Sequence, residues 1–276
     1  MLESRAQTET CMVRSDRSNL AERSGDKWRP PTLGPSQGRL GGVLGSLRRF
    51  FDLQAGSCWA DVATEARGWS GKVVDVGCGA QPYRSLLPAG MDYVGLDIAN
   101  AEQAFGYAPP NVVHFDGGRW PAVTHDADVV LCTEVLEHVL DPASMLREAF
   151  AALKPGGRLL LTVPFAARWH FVPHDYWRYT PSSLKHLLET AGFRSIVVRA
   201  RGGALTVACY KVQALFLPFL MPQQASAAKA LSLRLLASPS IPLFVALTVI
   251  GNLSLRGEGG DDCLGFTVTA QRPAEE

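Results

Sequence analysis

One stretch, Val73-Val-Asp-Val-Gly-Cys-Gly-Ala80, constrains the fold of this chain more than any other. It reads as a strand that runs straight into a glycine turn. Val73, Val74 and Val76 are β-branched and suit a strand covered on both faces. Gly77 and Gly79 allow a tight turn and a close approach of backbone to ligand, where a Cβ would collide. Asp75 stands just before the turn, where a carboxylate can hold a cationic or hydroxyl-bearing group. About one βαβ unit later comes a second strand, Asp92-Tyr-Val-Gly-Leu-Asp-Ile98, with Asp97 at its end. Twenty residues separate Gly77 from Asp97. At that offset an acidic residue on the second strand reaches the ribose hydroxyls of a nucleotide cofactor.

The turn departs from the dinucleotide fingerprint G-x-G-x-x-G, because Pro82 stands at the third glycine. Proline there does not suit a pyrophosphate packed on a helix N-terminus. The form acidic-x-Gly-x-Gly instead resembles motif I of class I S-adenosylmethionine-dependent methyltransferases, whose cofactor has no pyrophosphate. That family commonly has a further glycine where this chain has Gln81. The resemblance continues in Thr133-Glu-Val-Leu-Glu-His-Val-Leu-Asp-Pro142 and in Leu153-Lys-Pro-Gly-Gly-Arg-Leu-Leu-Leu161. It covers roughly Gly71 to Ala200, and Cys263 to Ala270 more loosely.

The resemblance implies an α/β, Rossmann-like sheet of seven strands in the order 3-2-1-4-5-7-6. In such a sheet strand seven is antiparallel and helices cover both faces; the apolar residues between Gly202 and Gly260 add an expected helical insertion before the last strand. The resemblance also implies S-adenosyl-L-methionine as cofactor. The contacts it implies are Asp75, Gly77, Cys78, Gly79, Asp97, Ile98, Asp116, Gly117, Thr133 and Glu134. Asp116 falls where the family's acidic residue meets the adenine amino group; an ordinary Asp-Gly turn is the alternative reading there.

Composition sets outer bounds. A net charge of +1 argues against a broad nucleic-acid-binding surface, so no nucleic-acid partner is expected. The six cysteines are scattered without a C-x-x-C pair, which points to a reducing, cytoplasmic compartment. No apolar core of a secretory signal is visible near the N-terminus.

Residues 1–38 are rich in Arg, Ser, Glu and Pro and are expected to form a disordered tail, or to precede the true start. The methyltransferase-like domain is expected over 39–201 and 261–276, with the insertion at 202–260. Two helices are expected first, Leu40 to about Gln54 and about Cys58 to Arg67. A crossover helix should start within Pro82 to Leu87. Strands three to five are expected at Asn111–Asp116, Asp126–Cys132 and Arg158–Val163. Asp141-Pro142 should open a helix that Lys154-Pro-Gly-Gly157 stops with a left-handed cap. Thr180-Pro181 should cap another. Strand six is expected from Ser195 to about Ala200, and the last strand over Cys263–Ala270.

The insertion carries two apolar stretches, Ala204 to Met221 and the uncharged span between Arg234 and Arg256. The strictly apolar run Ile241 to Ile250 is too short to span a bilayer. A helical hairpin is expected, packed on the domain or dipping into a membrane surface. It fits peripheral contact at the inner membrane face, or a homodimer contact through 204–255.

Methyl transfer to oxygen is helped by a base near the acceptor hydroxyl. His138, His170 and His174 are candidates, with His174 and His138 taken as the catalytic pair. The pattern Glu134-x-x-Glu137-His138 resembles ubiquinone-biosynthesis O-methyltransferases and small-RNA terminal 2′-O-methyltransferases. In the latter group such residues and a later histidine hold a divalent metal, a part open here to His170 or His174. The other reading is that Glu137 and His138 lie in a helix's first turn and are partly packed; no metal ligand is assigned. The segment His174-Asp-Tyr-Trp-Arg-Tyr-Thr-Pro181 also looks like that of methyltransferases among bacterial polysaccharide-assembly proteins. The expected acceptor is a small molecule or a lipid-linked glycan. A non-catalytic cofactor-binding interaction subunit and a nicotinamide-dependent oxidoreductase are the alternatives.

Overall fold

The computed structural model describes residues 38–102, 111–223 and 225–274. The expected N-terminal tail, apart from Gly38, lies outside the described residues. Seven strands form one sheet in the order β3-β2-β1-β4-β5-β7-β6. They are β1 (Lys72–Val76), β2 (Asp92–Ile98), β3 (Val112–Phe115), β4 (Ala127–Thr133), β5 (Leu153–Pro164), β6 (Arg194–Arg201) and β7 (Gly265–Gln271). Strands β1 to β5 pair in parallel, and β7 runs antiparallel to both β5 and β6. The expected order and the expected antiparallel last strand are both borne out.

Seven α-helices are used below: α1 (Gly38–Phe51), α2 (Leu53–Ala66), α3 (Pro142–Ala152), α4 (Pro181–Thr190), α5 (Ala204–Leu220), α6 (Ala227–Ala237) and α7 (Ile241–Ser254). Successive side chains of β4 point to opposite faces, and both faces are covered. Val130 and Cys132 join Leu96, Leu161 and Phe193 in one buried layer. Val129 and Leu131 join Val73, Leu160, Cys58 and Val62 in the other, under α2. This is why the central strands read as nearly continuous apolar runs.

Several local expectations are corrected. No α-helix crosses from β1 to β2; a 3-10 turn, Arg84–Leu86, stands there. Pro82, Pro88 and Gly90 crowd a link too short for a full helix. The break between α1 and α2 falls at Asp52, whose Oδ1 accepts from Ala55 N at 3.1 Å and starts α2 five residues early. Helix α3 ends in extended Leu153 rather than in a left-handed cap, because Lys154 to Gly157 are drawn into the start of β5. Glu137 and His138 do lie in a short helix, the 3-10 turn Leu136–His138, with Glu137 buried. The caps at Asp141 and Thr180 form as expected.

The insertion is longer in helix than its apolar run suggested. Helices α6 and α7 join through the 3-10 turn Ser238–Ser240 into one helical run, Ala227–Ser254, of 28 residues. That run is long and apolar enough to cross a membrane by length and composition. Pro239 and Pro242 do not break it. Both stand in the first turn of their elements, where no intrahelical N–H is required. Helix α7 packs closely on the start of α2: a Cβ on Gly251 would meet Leu53 Cδ1 at 2.5 Å.

Candidate active site

The strand order reverses between β1 and β4, and ligands of doubly wound sheets bind at the carboxyl ends of the strands beside that reversal. At the end of β1, Gly77 N and Cys78 N both donate to Leu96 O, at 2.8 and 3.2 Å. Gly77 has φ 63°, and a Cβ there would meet Val135 Cγ2 at 2.4 Å. Asp97 clamps the turn from β2. Its Oδ2 accepts from Gly79 N at 2.9 Å and its Oδ1 from Ile98 N at 2.8 Å. Burial raises the Asp97 pKa against the pull of those two N–H groups. Gln81, at the family's further glycine, adopts the left-handed φ of 56° that glycine would take without strain.

Two buried polar atoms at this turn lack partners among the described residues. Asp75 is 1% exposed; its Oδ2 accepts from Tyr93 Oη at 2.8 Å, and its Oδ1 accepts from nothing. Burial pushes its carboxyl up to about 7, opposed by the Tyr93 hydrogen bond and reinforced by the Asp97 charge. Gln81 Oε1 accepts from Arg84 Nη1 at 2.9 Å, while its Nε2 is unpaired. An unused carboxylate oxygen and an unused amide donor beside a glycine turn suit a ligand with cationic and acceptor groups. The donor set therefore fits S-adenosylmethionine. After β3, Asp116 Oδ1 accepts from Gly118 N at 2.9 Å, so Asp116-Gly117 forms a side-chain-braced turn at the same edge.

The end of β4 holds a network that no sequence motif announced. Glu134 has φ 53°, and its N donates to Thr162 O at 2.9 Å, beside Thr133. Its Oε1 accepts from Arg201 Nη2 at 2.7 Å and from the Cys58 thiol at 3.4 Å. Arg201 is buried at the end of β6 and also reaches Val163 O, Ser57 Oγ and Cys58 Sγ. Glu134 is thereby turned toward Arg201.

The next turn carries the most unusual group. Glu137 is fully buried, and neither carboxylate oxygen has a hydrogen-bond partner among the described residues. Its Oε1 lies 3.6 Å from His138 Nε2 and 3.8 Å from His170 Nε2, too far for hydrogen bonds. Burial drives its pKa well above the carboxylate range, and the Glu134 charge adds to this. His138 Nδ1 lies 2.7 Å from the His174 carbonyl, and His170 Nδ1 3.0 Å from the Arg168 carbonyl. A carbonyl can only accept, so both rings carry a proton on Nδ1 and turn Nε2 toward Glu137. Burial lowers the His138 pKa to about 4, helped by His170. One ligand atom each from Glu137, His138 and His170 lie within 4.8 Å of one another.

The loop after β5 is clasped onto this turn. Tyr176 N and Trp177 N both donate to Glu137 O, at 2.9 and 3.2 Å, Trp177 Nε1 to Val139 O at 2.9 Å, and Tyr179 Oη to Leu136 O at 3.0 Å. Asp175 organises the loop from within. It takes two hydrogen bonds from Arg178, at 2.6 and 2.8 Å, and one from His170 N at 3.0 Å. Burial alone would raise the Asp175 pKa; the His170 and Arg178 bonds outweigh it and hold the carboxyl far below the usual range.

All the residues singled out from the sequence stand at the carboxyl edge of the parallel strands or in the loops that leave it. His170, not His174, is the ring beside His138. The His174 imidazole turns to Tyr176 Oη at 3.3 Å, and its carbonyl fixes the His138 tautomer. Arg201, Asp175 and Arg178 were not singled out, because an arginine at a strand end or an acid in a loop carries no spacing signal.

Sheet order, antiparallel last strand and glycine turn together define a class I methyltransferase fold. The [4+2]-cyclase SpnF, a solved structure, aligns with a TM-score of 0.51 at 19% identity over 80% of this chain and 83% of that one, a likeness in fold alone. A family model described as a methyltransferase domain matches residues 51–198, over half of the chain. The ubiquinone biosynthesis O-methyltransferase of Acinetobacter baumannii (strain ACICU) is 30% identical over 162 residues, spanning 49% of this chain and 68% of that enzyme. Its counterpart in Ruegeria pomeroyi is 31% identical over 174 residues, spanning 51% and 67%. The chain belongs to the methyltransferase domain family. It is an S-adenosylmethionine-dependent methyltransferase, which sets aside the oxidoreductase reading.

Proposed function

We propose that the protein methylates an oxygen atom of a small-molecule or lipid-linked glycan acceptor that enters beneath the loop 165–180. The Glu137–His138–His170 cluster carries this reading: two imidazoles held through Nδ1 turn Nε2 toward one buried point at the edge of the sheet. The relatives named above act, by their names, as O-methyltransferases, which supports oxygen as the atom.

S-adenosylmethionine supplies a methyl group activated on a sulfonium. On this reading Asp97 and Ile98 take the ribose side, Asp116 and Gly117 the adenine side, and Asp75, Gly77, Cys78, Gly79, Thr133 and Glu134 line the remainder. His138 would accept the acceptor hydroxyl's proton at Nε2 as the oxygen takes up the methyl group. Bound S-adenosylmethionine would supply that methyl group, the C–S electron pair passing to sulfur as the O–C bond forms. The clasped loop excludes water and holds the acceptor. The compartment proposed is the cytoplasm, which fits the five described cysteines, all free and buried.

The test is transfer of a labelled methyl group into membrane-extracted glycolipids and into a small-molecule panel. His138→Ala should cut turnover at least a hundredfold while leaving S-adenosylhomocysteine affinity within about threefold. An unchanged rate removes His138 from the mechanism. The nearness of three ligand atoms favours a second reading, in which Glu137, His138 and His170 hold a divalent cation that orients the acceptor oxygen. Loss of activity in chelator, restored by one divalent ion, selects that reading; full activity in chelator selects the base.

A further inference from the structure

The insertion and α1 build an exposed apolar platform that the proposed chemistry does not use. Only 11% of the most apolar stretch of the run Ala227–Ser254 is buried. Helix α6 buries no residue, and Leu236 is 76% exposed, with Leu231, Leu235, Leu243 and Leu253 also bare. Helix α1 extends the face: Phe51 and Phe244 ring centres lie 6.2 Å apart, and Asn252 Nδ2 donates to Phe50 O at 2.9 Å. Contiguous apolar surface of this kind marks an interaction site on a protein otherwise well packed.

Charge selects the occupant. From Gly202 to Gly257 the chain has no Asp or Glu, but it carries Lys211, Lys229, Arg234 and Arg256. The whole chain is nearly neutral at +1, so the basic bias belongs to this region. A second copy docked face to face would set these cations against each other with no acid between them. An anionic phospholipid surface supplies the missing charge and accepts the leucines.

We propose that α1 and α5–α7 dock the protein on the surface of an anionic bilayer. The platform lies on the surface rather than crossing it, because α7 is held to α5, to α1 through Asn252 and to the sheet-packed α2 through Gly251. Gln213 Nε2 donates to Thr248 Oγ1 at 2.6 Å, Thr206 and Ser254 hydroxyls meet at 2.7 Å, and Gly251 seats against Leu53. A spanning α7 would lose the seat on Leu53 and the bond to the Phe50 carbonyl. The docked platform also sets the height of the acceptor loop. Arg168 donates to the Ala214 carbonyl and Lys211 to the Ala166 carbonyl, which ties α5 to the segment bearing exposed Trp169. Tryptophan suits the headgroup level, with an apolar ring and one polar donor.

The docking does not depend on the identity of the acceptor, so its test uses neither acceptor nor methyl transfer. The full chain is sedimented with vesicles of phosphatidylcholine containing about 30% phosphatidylglycerol and with pure phosphatidylcholine vesicles. Binding at least tenfold tighter to the anionic vesicles is expected, weakening at least tenfold in 1 M salt. Leu235→Glu/Leu236→Glu should abolish sedimentation while S-adenosylhomocysteine binding stays unchanged. Alkaline carbonate should release the bound protein. The proposal is overturned by no binding to anionic vesicles, by binding that survives the double substitution, by resistance to carbonate, or by a solution dimer that the double substitution dissociates.

Discussion

The carboxyl edge of the sheet and the helical platform are opposite kinds of incompleteness. At the edge, the unsatisfied groups among the described residues are polar and buried, and include Asp75 Oδ1, Gln81 Nε2, Arg201 Nε and both oxygens of Glu137. On the platform they are apolar and exposed, from Leu231 to Leu253. A buried unpaired polar atom costs about 1–3 kcal/mol, and a bare leucine forgoes a similar amount of burial. Each region keeps a deficit that a partner of matching chemistry would remove, a small polar ligand in one case and a lipid surface in the other. The difference teaches that the polar deficit is localised to a few atoms, so single substitutions reach it, whereas the apolar one is spread over many side chains.

The sharpest break should come at Gly77. Valine there meets Val135 and must adopt a left-handed φ, so Gly77→Val should leave no detectable S-adenosylhomocysteine binding by calorimetry. A variant that binds like the parent would take the turn out of the cofactor site. Next comes Asp97→Ala, expected to weaken cofactor binding about a hundredfold, roughly 2.7 kcal/mol, since Asp97 both braces Gly79 and offers lone pairs at the edge. Unchanged affinity would undo the ribose assignment.

Asp75 sharpens the comparison through pH. Its folded pKa of about 7 exceeds the ordinary 3.8. Between those values the folded protein holds a proton that the unfolded chain has released. Stability without ligand must therefore fall as pH rises across that window and level off above it. Asp75→Asn should remove the decline. Melting curves of parent and variant should agree near pH 4 and separate by pH 8, with the variant more stable by about 2 kcal/mol. Parallel curves would mean that Asp75 is not strained when empty-handed. The smallest effect belongs to the platform: Leu235→Ser/Leu236→Ser should shift stability by within about 0.5 kcal/mol, because neither side chain is buried. A loss of several kcal/mol would show that α6 is packed in solution.

Much of the fold was legible because its signals are local. Val73 to Ala80 encodes strand and turn in eight residues, and Thr180-Pro181 encodes its own cap. The crossover helix failed where Pro82, Pro88 and Gly90 outweighed the apolar spacing of Leu86 and Leu87. The helical run through Pro239 and Pro242 was hidden, since a proline in sequence does not reveal that it stands in a first turn.

The sequence by itself determined the sheet and the cofactor edge, because β-branched runs, glycine turns and the Gly77-to-Asp97 spacing act over short lengths of chain. Only the tertiary structure decided what the edge does with its charges. Glu134 is claimed by Arg201, 67 residues away, while Glu137 is left buried between His138 and His170. Both carboxylates come from one short motif. What separates them is which side chain from a distant strand or loop packs over each, and burial of that kind is a property of the folded chain alone.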